Sequence, residues 1–329
     1  MSEKLLIPDS LRDRANSALS SGALEGGWLI TGPRQVGKGT FARALAAAML
    51  SHTDDISQAE PRIVTQVENE GHPDLFVLRR TPDPKTGKLP ANIKVDEVRE
   101  VISRFRQTSA TGRRIVIIDT ADELNPQAAN ALLKTLEEPP AGASLLLLSV
   151  AAGRLLPTIR SRCRRMDMPA LPVPAVATWL ERQHQIEPAD ARDAAEVARG
   201  RPGRALELAA GEGRLAKEMA DGLVKAAAGR GDIIAAARRF GEKDAEDARR
   251  DAQELVLARL TDAARQIARG EGTDRDFPST VSAHHLVELH DEIASLVGRA
   301  EALNADRVQT ALMMAMTLQD GLRGHHVGR

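Results

Sequence analysis

The chain has 329 residues, a length that predicts two or three domains. Hydrophobic residues make up 42% of it and charged residues 28%, so the chain is expected to fold. Because only 2% of the residues are aromatic, its cores must be built mainly from aliphatic side chains and alanine, which favours helices. With 45 basic and 46 acidic residues the formal net charge is −1, which argues against a protein that binds nucleic acid on its own.

The N-terminal segment and the single cysteine predict a cytoplasmic protein. The segment MSEKLLIPDSLRDR has no apolar stretch of the kind found in signal peptides, and no run approaches the roughly 18 apolar residues of a membrane span. One cysteine, Cys163, excludes an intramolecular disulfide and any zinc site that needs two thiolates. We therefore expect no membrane contact and no zinc.

The first half of the chain alternates short apolar runs with amphipathic stretches, which is the pattern of a parallel sheet covered by helices. Residues 51–71 and 81–90 are polar or rich in proline and are predicted to be surface connections outside the core. Helices are predicted over Val95–Phe105, and from Pro126 to the residues before Pro139 with Asn125 as N-cap. The predicted strands are residues 28–31, 75–78, 114–119, 145–150 and 165–168.

Proline and glycine divide the rest of the chain. Three prolines in residues 168–175 predict a domain boundary, and a small helical unit should follow up to about residue 209. From residue 211 onward the pattern is helical and rich in alanine, with breaks near residues 229–231, 270–279 and 321–324. The predicted domains are residues 1–167, 168–209 and 210–329.

A glycine-rich turn between the first predicted strand and the next helix resembles a phosphate-binding loop. Gly32, Gly37 and Lys38 match the G-x-x-x-x-G-K part of that pattern. The next position should carry a hydroxyl that ligates Mg²⁺, but it is Gly39. Thr40 follows, yet successive helical residues are rotated by about 100°, so its hydroxyl is not expected in the same place. By itself, so incomplete a motif is equally well explained by an ordinary turn.

A second motif favours the nucleotide-binding interpretation. The apolar strand predicted at residues 114–119 ends in Asp119, which resembles the aspartate that helps to hold Mg²⁺ in such proteins. An ATPase of this class has glutamate directly after that aspartate to activate water, but here it is Thr120, which is no general base at neutral pH. We expect a degenerate site without hydrolysis of its own, at which binding of ATP or ADP stays open.

Three strings of residues are similar, in wording and in order, to strings in the clamp-loader subunits of bacterial DNA polymerase III. They are IIDTAD at 117–122, NALLKTLEEPP at 130–140 and TIRSRC at 158–163. The resemblance extends through HPDL at 72–75, residues 93–99 and Gly203-Arg204, and so covers roughly residues 25–210. Motor subunits of this family keep the hydroxyl and the glutamate, whereas delta-prime subunits commonly lose one or both. The chain therefore resembles the delta-prime type.

The resemblance implies an α/β AAA+ P-loop domain with a parallel sheet, a small helical lid domain and a C-terminal all-α collar bundle that joins five subunits into a ring. It implies motor (tau/gamma) subunits and the delta subunit as partners, with the sliding clamp and primed DNA contacted through the complex. By position, Arg162 resembles an arginine finger that acts on a neighbour's ATP, and Arg204 resembles the second sensor arginine of the family. Ser149 lies at the end of the strand that carries the first sensor in the family. Many relatives bind a structural zinc through four cysteines after the first helix, and residues 51–71 contain none.

Other interpretations stay open on the sequence. The chain would be an active AAA+ ATPase of the motor-subunit or helicase-loader type if Thr40 and another acid replaced the missing groups. A DNA-binding regulator is disfavoured by the near-neutral charge. Arg204 would otherwise be a solvated arginine at a helix start, and Arg162 part of a solvated basic turn.

Several residues that suggest chemistry are interpreted as structural. The histidines are predicted to lie at the surface and to bind no metal, and Cys163 to be a small buried residue without nucleophilic function. Residues 241–251 are predicted to form a solvated helix face, and Trp28 and Trp179 to be packing residues.

Overall fold

The computed structural model describes residues 6–82, 90, 92–105, 109, 111–209, 212–242, 246–270, 276–278, 280–303 and 305–323. The chain forms two compact units, Met1–Leu206 and Glu207–Arg329, which are described separately. The division into three domains stays a prediction.

The first unit is built on a parallel sheet, in which the described residues form five strands. These are β1 (Gly26–Thr31), β2 (Leu75–Leu78), β3 (Arg114–Ile118), β4 (Ala143–Ser149) and β5 (Cys163–Asp167), in the order β2-β3-β4-β1-β5. Every residue of β1 and β4 is buried, as expected for inner strands covered by helices on both faces. The predicted α/β fold is confirmed, and each predicted strand boundary lies within two residues of the observed one.

Helices cover both faces of this sheet, and nine α-helices in all begin in the described part of the first unit. They are α1 (Asp9–Ser20), α2 (Lys38–Leu50), α3 (Pro61–Glu68), α4 (Val95–Phe105), α5 (Pro126–Glu137), α6 (Pro157–Arg160), α7 (Val173–His184), α8 (Pro188–Val197) and α9 (Pro202–Ala209). Helix α2 is buried along most of its length, because its many alanines let neighbouring elements approach closely.

Two helices of this unit begin or end where the sequence predicts. Helix α4 has the predicted bounds, and Val98, Ile102 and Phe105 form its buried stripe. In α5 the side chain of Asn125 accepts a hydrogen bond from the N–H of Ala128 at 2.8 Å, so the predicted N-cap is confirmed.

The prediction that residues 51–71 lie outside the core is wrong. Helix α3 lies in this stretch and contacts α2, and the side chains of Ile56 and Val67 belong to the core of the first unit. The stretch is polar overall but amphipathic, so a single apolar face is enough to bury it. Of the other predicted connection, residues 83–89 lie outside the described residues.

The HPDL string anchors the start of β2, and the prediction that His72 lies at the surface is wrong. The His72 side chain is buried, and its Nδ1 accepts a hydrogen bond from the N–H of Asp74 at 3.1 Å. Asp74 is also buried, and its carboxylate accepts bonds from the N–H and the hydroxyl of Thr111 at 3.1 and 2.9 Å. These contacts fasten β2 to the segment that leads into β3.

The segment after β5 packs against the turn that precedes α9. The N–H of Leu171 donates to the carbonyl of Gly200 at 2.8 Å. Gly200 has a φ of +72°, and a Cβ on it would lie 1.8 Å from the carbonyl oxygen of Leu171. Only glycine fits this approach of two backbones.

The second unit is a helical bundle, as predicted, and its described residues form five helices. They are α10 (Glu212–Ala227), α11 (Ile233–Arg239), α12 (Glu246–Ala268), α13 (Ala283–Ala302) and α14 (Arg307–Leu322). Helix α10 packs against α11, α12 and α14, while α13 packs against α12 and α14. Across the described part of both units, no helix is long and apolar enough to cross a membrane.

The prediction of a solvated face over residues 241–251 is wrong for Arg249. This side chain is buried in α12, and its Nη1 donates to the carbonyl of Phe240 at 2.8 Å. The long aliphatic part of an arginine can be buried when its guanidinium finds acceptors. Residues 243–245 of the stretch lie outside the described residues.

The burial of His72 predicts a loss of stability in mild acid. Burial lowers the pKa of His72, and Asp74 only partly opposes this shift. Below the unfolded pKa of about 6.5 the unfolded chain therefore binds a proton that the folded chain does not, so the free energy of unfolding falls as the pH drops from that value towards the lower folded pKa. In His72→Asn, whose side-chain oxygen can still accept from Asp74, this part of the pH dependence should disappear. Urea titrations of both proteins between about pH 7.5 and pH 5 test this, and curves that stay parallel would contradict it.

Candidate functional site

The glycine-rich loop joins the C-terminal end of β1 to α2 and is packed from two sides. A Cβ on Gly32 would lie 2.1 Å from the carbonyl oxygen of Met168, the residue after β5. On the other side, the N–H of Gly203 in α9 donates to the carbonyl of Gln35 at 2.9 Å. Gly37 caps α2 in the left-handed conformation, with a φ of +102°. Backbone contacts therefore hold the loop at its start and at its middle.

Lys38 is turned onto the carbonyls of its own loop. Its Nζ donates to the carbonyls of Gly32 and Pro33 at 2.8 and 2.7 Å, and the residue is only 8% exposed. Burial lowers the pKa of Lys38, while the charges of Asp119 and Asp122 partly oppose that shift. The ammonium group is thus paired within the loop and held in the field of two carboxylates.

Gly39 lies where a hydroxyl would face Asp119. A Cβ at position 39 would be 3.6 Å from Oδ2 of Asp119 and 3.1 Å from Nη1 of Arg43. Arg43, one helical turn further along α2, also donates from Nη2 to Glu70 at 3.1 Å. The side chain of Thr40 is exposed, in agreement with the expected rotation of about 100° per residue. The guanidinium of Arg43 therefore lies beside position 39, where a serine or threonine hydroxyl would help to ligate a cation.

The other predicted residues lie around this loop. Thr120 donates from its hydroxyl to Oδ1 of Asp119 at 3.3 Å, and the N–H of Gly32 donates to the carbonyl of Ser149 at 3.2 Å. Arg204 is buried in α9, the helix whose first turn contacts the loop, so the solvated alternative for this arginine is wrong. The structure thus gathers the predicted loop, Asp119, Ser149 and Arg204 at one end of the sheet, and their roles stay predictions.

Asp122 is a site residue that the sequence reasoning missed. Its carboxylate accepts hydrogen bonds from the Ser149 hydroxyl at 3.0 Å and from the N–H groups of Val150 and Ala151 at 2.8 and 3.1 Å. The hydroxyl of Ser149 is therefore committed to Asp122. The signal was present in the IIDTAD string, whose last residue is Asp122. Asp122 ties the segment after β3 to the end of β4.

Arg162 lies at the opposite end of the sheet from the loop. It directly precedes β5, which runs parallel to β1 with Cys163 opposite Gly27 and Asp167 opposite Thr31. Because the loop follows the other end of β1, the length of the strand separates the two, about 16 Å at ~3.3 Å per residue. Any action of Arg162 on a nucleotide would therefore be on one bound by another subunit.

The guanidinium of Arg162 is fixed by groups from α5 and α6. Its Nη2 lies 2.6 Å from Oε1 of Glu137, and its Nη1 donates to the carbonyl of Thr158 at 2.9 Å and to the hydroxyl of Ser161 at 3.3 Å. The side chain is 35% exposed, so these contacts lie at the surface, and both the finger and the solvated basic turn stay predictions for Arg162. Glu137 belongs to the NALLKTLEEPP string but was not identified from the sequence as a partner of Arg162.

Cys163 and the histidines do not add a second site. Burial raises the pKa of Cys163 to about 12, so the thiolate is scarce at neutral pH. His284 is largely exposed, whereas His285 is only 21% exposed and its Nε2 lies 3.0 Å from the carbonyl of Gly321. Among the described residues no group of three His, Cys, Asp or Glu side chains is arranged to hold a metal. The absence of a metal stays a prediction, and His325 and His326 lie outside the described residues.

The parallel sheet and the glycine loop at the end of its β1 strand define an α/β P-loop protein of the AAA+ class. A sequence profile described as DNA polymerase III, delta subunit, matches residues 8–172. The chain belongs to this family.

Individual relatives agree with this assignment. The DNA polymerase III subunit delta' of Pseudomonas aeruginosa is 38% identical over 167 residues, which cover 50% of this chain and 49% of that protein. Subunit delta' of Escherichia coli is 38% identical over 148 residues, which cover 45% of this chain and 42% of that protein. Subunit tau of Salmonella typhimurium is 33% identical over 166 residues, which cover 50% of this chain and 25% of that protein. The match spans at most about half the length of these relatives, and it confirms the predicted resemblance to the delta-prime type.

Solved structures resemble the chain more distantly. A DNA polymerase III gamma subunit-related protein from Thermotoga maritima aligns with 94% of this chain and 100% of its own length, at 18% identity and a TM-score of 0.45. The RuvB Holliday junction branch migration motor of the same organism aligns with 93% of this chain and 87% of its own, at 16% identity and the same TM-score.

The contacts of Asp122 predict a measurable effect on stability. In Asp122→Asn one acceptor oxygen is replaced by an NH₂ group that faces N–H donors, so the free energy of unfolding should fall by about 1–3 kcal/mol. Ser149→Ala removes only one of the three donors and should cost less, about 1 kcal/mol. Urea titration of the three proteins measures both effects. Equal stability of Asp122→Asn and the unsubstituted protein would show that the carboxylate is not the anchor of β4.

Proposed function

We propose that this chain is a clamp-loader subunit of delta-prime type, which assembles in the cytoplasm with motor (tau/gamma) subunits and a delta subunit in a ring of five. In that complex it acts as a stator and helps to load the sliding clamp onto primed DNA. Its family membership supports the proposal. The observation that carries it is the position of Arg162, fixed at the end of the sheet opposite to the chain's own glycine loop.

We further propose that the chain's own nucleotide site does not hydrolyse ATP. Gly39 supplies no hydroxyl for Mg²⁺, Thr120 supplies no general base, and the guanidinium of Arg43 lies near Asp119. A fixed positive charge beside a carboxylate disfavours a second cation there. The amides and Lys38 can still bind the phosphates of ATP or ADP without metal.

In this proposal Arg162 acts in trans as an arginine finger. A guanidinium is always charged and can direct two donors at developing negative charge on a phosphoryl group. Its half-exposed position just before β5, which is an edge strand of the sheet, supports contact with an adjoining subunit. The helical second unit, in turn, is the part that we propose to form the collar of the ring.

The degenerate site predicts that the pure protein shows no Mg²⁺-dependent ATP hydrolysis above the buffer blank. Two of the groups that hydrolysis requires are replaced, so Lys38→Ala should make no difference to the measured rate. A coupled ATPase assay of both proteins, with an active motor subunit as positive control, gives the answer. Turnover that Lys38→Ala abolishes would establish an active ATPase instead.

The finger proposal predicts that Arg162→Ala and Arg162→Lys leave the complex assembled but lower its ATPase in the presence of clamp and primed DNA. Fingers of this kind contribute about 10³–10⁵ in rate, so the adjoining site should become almost silent and the total rate should fall by that site's share. Lysine keeps the charge but not the planar fork, and should rescue little.

Arg160→Ala is the matched control, because Arg160 lies two residues away, is exposed, and belongs to the same basic turn. It should leave both ATPase and clamp loading unchanged. Full clamp-loading activity in assembled Arg162→Ala complexes would overturn the finger assignment.

A further inference from the structure

We propose that Glu137 is the positioning residue of Arg162: its carboxylate orients the guanidinium towards the phosphate of a nucleotide bound by the adjoining subunit. This inference rests on the proposed function of Arg162 and assigns a role to the last part of the NALLKTLEEPP string.

Two anchors on different nitrogens define the plane of the guanidinium. Glu137 binds Nη2 at 2.6 Å, and the Thr158 carbonyl and Ser161 hydroxyl bind Nη1 at 2.9 and 3.3 Å. If only one nitrogen were held, the planar guanidinium could rotate about that contact. Contacts on two nitrogens fix its orientation. Among the described residues Nε has no hydrogen-bond partner, so its N–H remains as a donor for an incoming anion.

The backbone that carries Glu137 is itself held rigidly. Leu136 is buried, and a Cβ on Gly27 of β1 would lie 2.7 Å from its Cδ2 and 3.2 Å from the carbonyl oxygen of Arg162. The end of α5, the start of β1 and the backbone of Arg162 are therefore in direct contact. Helix α5 ends at Glu137, ahead of Pro139, which cannot continue it. A carboxylate on such a fixed element can define geometry that a loop residue cannot.

Stability alone does not explain the pair. Both side chains are partly exposed, 35% for Arg162 and 47% for Glu137, and ion pairs with this exposure contribute little to the free energy of folding. Orientation is a more sensitive property, because catalysis by a charged group falls steeply when that group is displaced. Loss of the Glu137 carboxylate should therefore affect the rate of hydrolysis and leave the fold intact.

The experiment compares Glu137→Ala and Glu137→Gln in the reconstituted complex of motor, delta and delta-prime-type subunits with clamp and primed DNA. Glu138→Gln is the matched control, because it removes the same charge one residue away, from an exposed side chain that forms no ion pair with Arg162 among the described residues. We expect Glu137→Ala to lower the Arg162-dependent part of kcat for ATP, which is the part that Arg162→Ala removes, about three- to tenfold with KM unchanged. Glu137→Gln, which keeps an acceptor oxygen for Nη2, should recover part of that loss, and Glu138→Gln should have no effect.

The same variants in an Arg162→Ala background separate this inference from the function on which it rests. If Glu137 acts through Arg162, Glu137→Ala causes no further loss there. An unchanged or raised kcat in Glu137→Ala, or a further loss in the Arg162→Ala background, would overturn the positioning role while the finger stands. If Arg162→Ala alone leaves kcat intact, the finger and its positioning residue both fail. Thermal unfolding and size-exclusion chromatography verify that each variant folds and assembles. If Glu137→Ala does not assemble, the kcat of the Glu137→Gln complex tests the positioning role instead.

Discussion

Strand β1 lies between β4 and β5, and its neighbours approach its backbone so closely that two positions have no room for a side chain. At Gly27 a Cβ would lie 2.7 Å from a methyl carbon of Leu136, and at Gly32, directly after the strand, it would lie 2.1 Å from the carbonyl oxygen of Met168. These contacts set the distance of α5 and of both ends of β5 from β1. Since the loop follows one end of β1 and Arg162 packs at the other, the placement of both depends on this close approach.

The strand also separates the two groups of candidate residues. Arg162 contacts the Glu137 carboxylate, the Thr158 carbonyl and the Ser161 hydroxyl, and among the described residues none of these three contributes to the hydrogen bonds of the Lys38 ammonium group in the glycine loop. A chain of this kind can lose metal binding at the loop without disturbing the arginine at the far end. This separation supports the proposal that a degenerate nucleotide site and an arginine finger occur in one subunit.

At the loop, charged side chains of the chain itself lie close together. Lys38 stays buried near Asp119 and Asp122, and Arg43 lies beside the position at which a hydroxyl would face Asp119. Asp122 is in turn occupied by the end of β4. The carboxylates of the site are thus neighboured by cationic and N–H groups of the chain itself, which offset their negative charge.

The sequence by itself determined the elements and the order of the motifs. Apolar periodicity, Asn125 and the prolines predicted the five strands, α4 and α5, and two motifs placed the loop, because these features depend on neighbouring residues alone. Helix α3 was missed because its polar composition concealed one apolar face. Only the tertiary structure decided which distant segments contact each other. It buried His72 and Arg249, which the sequence predicted at the surface, and it placed Glu137 against Arg162, 2.6 Å apart in space although they belong to separate elements. A polar side chain is buried or exposed according to whether a partner is within reach, and that is fixed only when the whole chain has packed.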